Sequence, residues 1–181
     1  RTMWHYARGV AYAATGRVAA AEAEQAAFLA ARGNDVPEGA VVGVNPAGPV
    51  LATAEKMLEG ELLYRQGRHE EAFAALREAV RREDGLRYDE PSPWMQPVRH
   101  ALAALLLEQG HVEEAEAVYL ADLNKHPENG WSLFGLAECA RKRGDTEAAA
   151  ALDTRFAAAW AHADFPLEAS CACANGVAAM A

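Results

Sequence analysis

An all-α fold, a right-handed α-solenoid of about four helix pairs with two long inter-pair loops, is predicted by three observations. A glycine followed five residues later by an alanine recurs at Gly16/Ala21, Gly67/Ala72, Gly110/Ala115 and Gly144/Ala149. The segments ahead of those glycines carry a small residue at the matching place, Gly9, Gly60, Ala103 and Ala137, as two closely crossing helices require. Chain breakers concentrate in two stretches, and every periodic segment outside them reads at helical spacing.

The first pair is expected over about residues 2–32, with Gly16 closing its first helix in the left-handed conformation open to a residue without Cβ. Residues 33–50 hold five glycines or prolines between Gly33 and Pro46 and two more at Gly48 and Pro49, so they are expected to be a loop. The second pair spans about 53–83. A second loop, 84–97, carries Pro91, Pro93 and Pro97, which restrict it to extended conformations around Trp94 and Met95. The third pair spans about 97–129, where Pro127 ends its second helix, and the fourth spans 130–164. Residues 165–181 form a tail. The turn glycines stand 51, 43 and 34 residues apart, so the first two intervals are the longer ones and the surplus falls in the two loops.

The 34-residue interval and the paired Gly and Ala positions resemble the tetratricopeptide repeat over residues 2–164. A closer likeness rests on Glu90-Pro91-Ser92-Pro93-Trp94-Met95-Gln96-Pro97-Val98-Arg99, on Asn129-Gly130-Trp131-Ser132-Leu133-Phe134 and on the ending Ser170-Cys171-Ala172-Cys173. These motifs resemble the C-terminal part of long bacterial tetratricopeptide proteins. That resemblance implies a bacterial cytoplasmic or periplasmic setting and an upstream region with His-containing motifs; it carries no activity over.

In such a fold the first helix of each pair lines a concave groove. Counting along the repeat places Tyr6 there from the first pair, and Glu61, Tyr64 and Arg65 from the second. Arg99, His100 and Glu108 come from the third, and Trp131, Phe134, Glu138 and Arg141 from the fourth, with Trp94 over the mouth or plugging the gap between pairs. Aromatic side chains mixed with charges have the composition of a recognition surface. Trp131 and Phe134, three positions apart, are expected to show two rings on one side, unless Trp131 packs into the core beside Pro127.

The chain has 181 residues and a net charge of -9, which works against a partner held through phosphate neutralisation, so no nucleic acid is expected. No apolar run approaches the ~20 residues of a membrane span. No dinucleotide, phosphate-loop or nucleophile-elbow motif is present, so no cofactor and no catalytic residue is assigned. Cys171 and Cys173 are weak metal candidates, since two ligands fall short of the four of a structural zinc site. The chain opens at Arg1 without an initiator Met, as an excised piece of a longer protein would.

The leading expectation is a scaffold module that binds a protein or peptide, including the upstream part of its own chain, through the groove. Two rivals stand beside it. One is a metal- or cofactor-dependent enzyme completed by an upstream region, with His100, Glu61, Trp94 or the cysteines contributing. The other is a structural subunit that self-assembles into a homo-oligomer through its exposed ends.

Overall fold

The computed structural model describes residues 1–171 and 173. Among the described residues eight helices form four consecutive antiparallel pairs: α1 Thr2–Ala14 and α2 Val18–Asn34, α3 Ala47–Arg65 and α4 His69–Asp84, α5 Val98–Glu108 and α6 Val112–Lys125, α7 Gly130–Lys142 and α8 Thr146–Ala159. The described residues divide into two compact units, one from Arg1 to Val98 and one from Arg99 onward.

Each pair turns at its predicted glycine, where φ lies between 74° and 85° at Gly16, Gly67, Gly110 and Gly144. Nothing lies within 4 Å of where a Cβ would stand at Gly67, Gly110 or Gly144. Glycine is therefore selected at these turns by backbone conformation, and not by lack of room. The reverse holds at Gly60, whose added Cβ would lie 2.6 Å from Leu76 Cγ on α4. Ala21, Ala72 and Ala115 are fully buried and Ala149 nearly so, as close backbone crossings demand.

In the first unit α1 packs on α2 and α3, and α3 packs on α4. The segment after α2 is more ordered than its composition suggests. Val41–Val42 and Asn45–Pro46 pair as a two-residue antiparallel ladder, β1 and β2, and α3 starts at Ala47. Pro46 sits at the N-cap of α3 and Pro49 in its first turn, where a missing N–H breaks no intrahelical bond.

The two loops of this unit fasten to each other. Asn45, buried, donates from Nδ2 to the Arg87 carbonyl at 2.9 Å and accepts from the Arg87 N–H at 2.8 Å. The Val44 N–H donates to Asp89 Oδ2 at 3.1 Å. These bonds give backbone groups outside regular structure their partners.

In the second unit α6 packs on α7 and α7 on α8. Tyr119 of α6, fully buried, lies against Gly135 of α7, where an added Cβ would come within 2.2 Å of the ring. Tyr119 also shares a hydrogen bond with Ser170, which ties the segment after α8 to the helices.

Candidate functional site

The first helices present their predicted face differently in the two units. In the first, Tyr6 of α1 and Tyr64 and Glu61 of α3 are buried. Trp94, 1% exposed, brings its ring edge-on to Tyr6 with centroids 5.3 Å apart, and Tyr6 in turn leans on Phe28 at 6.5 Å. Burial, reinforced by the Glu61 carboxylate, raises the Tyr6 phenol well above its ordinary pKa. Arg65 pairs with Glu61 at 3.0 Å and lies over the Tyr64 ring. The indole N–H of Trp94 has no hydrogen-bond partner among the described residues, so ring area is what fixes it in place.

The polar centre of the second unit is Asp122 of α6, which is fully buried. Its Oδ2 accepts from His100 Nε2 at 3.0 Å, Ser132 Oγ at 2.7 Å and Asn129 Nδ2 at 3.2 Å, and its Oδ1 accepts from His126 Nδ1 at 2.9 Å. Burial alone would raise the Asp122 pKa. The hydrogen bonds from His100, Ser132 and His126, with the His100 charge, outweigh it and hold the pKa below the ordinary value. Asn129 caps α7 by accepting from the Trp131 N–H at 2.9 Å. One carboxylate thus joins α5, α6 and the start of α7.

His100 is therefore an interior residue, and Trp131 stacks over it with centroids 6.4 Å apart while meeting Trp160 edge-on at 5.6 Å. Trp131 and Phe134 do not act as a free pair of rings. Trp131 leans on Trp160, the residue that caps α8, and Phe134 on Phe156 of α8 at 5.6 Å. Arg99, half-buried, begins the second unit, and Arg141, exposed, pairs with Glu138 and with Asp153, each at 2.8 Å.

Three predicted residues do converge. Glu108 of α5 and Phe134 and Glu138 of α7 line one cleft of about 260 Å³. Ala104 and Leu107 continue its apolar floor, Lys142 closes one side, and Glu168–Ser170 of the tail supply the rest.

Cys171 and Cys173, the weak metal candidates, are joined to each other in a disulfide. Among the described residues no group of three or more His, Cys, Asp or Glu is placed to hold a metal ion. Cys139 is a buried free thiol whose pKa burial pushes up to about 11, the opposite of an activated nucleophile.

Sequence reasoning missed two features. The Asp122 cluster was signalled by an acid on the otherwise apolar stripe Ala115, Tyr119, Asp122 of α6. A larger cleft of about 790 Å³ lies in the first unit between α2 and α4, with Leu62 and Leu63 of α3 in its lining and none of the predicted groove residues. Its one visible signal was Leu29, an exposed leucine on α2.

Residues 54–86 and 100–164, together more than half of the chain, match the tetratricopeptide repeat family. The chain belongs to that family. No curated protein and no solved structure gives a significant match. The α1–α2 pair lies outside the matched residues yet turns at Gly16 with φ 74° and crosses at Ala21, as the matched pairs do at their own glycines and alanines. At the coarse level the repeats make the chain a protein-interaction scaffold. No helix among the described residues is long and apolar enough to cross a membrane.

Proposed function

We propose that the chain is a peptide-binding scaffold whose second unit seats its ligand in the cleft on α5 and α7. The carrying observation is that Glu108, Phe134 and Glu138, assigned to the recognition face by repeat register, line one open cavity. Its volume of about 260 Å³ is below the ~300 Å³ at which small-molecule pockets begin, which suits side chains of a longer ligand. The net charge of -9 favours a protein ligand over nucleic acid. The likeness of Glu90–Arg99 and of the Ser-Cys-x-Cys ending to long bacterial repeat proteins makes an upstream part of the same polypeptide one ligand of this kind.

A peptide array probed with the whole chain tests this, followed by titration of the best binders against Phe134→Ala. Loss of the half-buried ring should weaken binding roughly tenfold or more, the scale of an aromatic hot spot. Binders indifferent to Phe134→Ala would place recognition elsewhere, and the cleft of the first unit would become the site to test.

A further inference from the structure

We propose, resting on the cleft just described, that it selects a basic residue: a lysine or arginine beside an apolar residue in the bound peptide. The lining holds three carboxylates, Glu108, Glu138 and Glu168, against one cation, Lys142. Glu138 is already engaged by Arg141 at 2.8 Å. Glu108 and Glu168 are exposed and have no ion pair or hydrogen bond among the described residues. They come from different parts of the chain, α5 and the segment after α8, and flank an apolar floor of Ala104, Leu107 and Phe134. A long cationic side chain fits that arrangement because its methylenes lie on apolar surface while its head group reaches the rim carboxylates. An acidic or amide side chain would gain the same floor and meet like charge or no charge at the rim.

The third carboxylate is held in place by the fold. Ser170, buried, bonds Tyr119, and Cys171 beside it is 1% exposed, so the chain two residues on from Glu168 is anchored to the helices. The segment that brings Glu168 to the cleft is therefore tied to the helices. Lys142 opposes the proposed ligand, which gives the model two mutations of opposite sign.

The test uses fluorescence anisotropy on the full chain with three labelled nonapeptide pools that differ only at their centre: Leu-Arg, Leu-Gln and Leu-Glu. The expected order is Leu-Arg tightest, by about tenfold over Leu-Glu at low ionic strength, with the gap shrinking in high salt as exposed charges are screened. Glu108→Gln with Glu168→Gln should erase the preference, and Lys142→Gln should widen it. Equal binding of the three pools, or a preference untouched by these variants, overturns the charge assignment. If Phe134→Ala still abolishes binding in that case, the cleft stands as the peptide site and only its selectivity was misread. Binding that ignores Phe134→Ala as well removes both readings.

Discussion

The predicted recognition face is filled in the first unit, whereas in the second it is filled at His100 and open at Glu108, Phe134 and Glu138. In the first unit the two loops clasp through Asn45 and Arg87, and Trp94 is packed on Tyr6, so the chain's own loop covers the face. In the second no insertion follows, and the tail only walls the cleft that Phe134 and Glu138 leave open. One register of side chains thus yields core in one place and surface in the other. What covers a helix face decides its role, and that depends on what the connections between helices do.

The largest test of this comparison is Trp94→Ala. Removing a fully buried ring should cost about 3–5 kcal/mol, concentrated in the first unit. Denaturant unfolding of the variant should show an early transition, while peptide affinity at the α5–α7 cleft stays unchanged. A cost under about 1 kcal/mol would mean that the loop rests loosely and the face beneath it is accessible.

Asp122→Asn should cost about 2 kcal/mol, because donors arranged around a buried carboxylate are left with a weaker and partly mismatched acceptor. It also carries a pH signature. A folded pKa held below the unfolded one gives stability that is fully present above the unfolded value, about 3.9, and is lost as pH falls through the folded value. The wild-type second unit should therefore weaken below about pH 4, and the variant should show a flatter acid limb. Thermal melts between pH 2.5 and 6 compare them, and parallel curves would remove Asp122 from its role as the ionic centre.

The helix pairs were legible in the sequence because their determinants are local. A glycine that must adopt positive φ at Gly67 or Gly144, and an alanine five residues later at a crossing, leave a periodic mark. Most of the site was not legible, since spacing assigns a residue to a helix face without saying what the chain lays over it. Tyr6 and His100 lie at face positions by register and are buried with partners distant in sequence: Trp94 88 residues from Tyr6, and Asp122 22 residues from His100. The hairpin was hidden in the same way, because its strands of two residues are too short to show alternation and are held by Arg87 and Asp89 more than forty positions away.

Gly135→Ala sharpens the comparison within the second unit. In a helix interior alanine is favoured over glycine by roughly 1 kcal/mol, so propensity alone predicts stabilisation. The added methyl would stand 2.2 Å from the Tyr119 ring, which is buried and tied to Ser170, and overpacking of this kind costs about 1–3 kcal/mol. The clash wins, and the expected net loss is about 1 kcal/mol in the unfolding midpoint, with looser seating of the Glu168–Ser170 wall and weaker peptide binding. A stabilised variant would show that the tail gives way easily and does not fix Glu168.

The smallest effect is expected at Arg141. Its ion pairs with Glu138 and Asp153 are solvent-exposed, with side-chain exposures of 40% for the arginine and 38% and 49% for the carboxylates. Such pairs contribute about 0–1 kcal/mol, so Arg141→Ala should leave the unfolding midpoint nearly unchanged. What should move is association. Losing Arg141 frees Glu138, the one cleft carboxylate with a cation of its own, and makes the cleft more negative. Stopped-flow binding of the Leu-Arg pool should then be about two- to threefold faster at low salt, with the gain vanishing at 0.5 M salt, because steering by exposed charges acts on encounter and is screened. Slower binding would mean that Arg141 itself contacts the ligand, and the open face of the second unit would then be read by a cation as well as by its carboxylates.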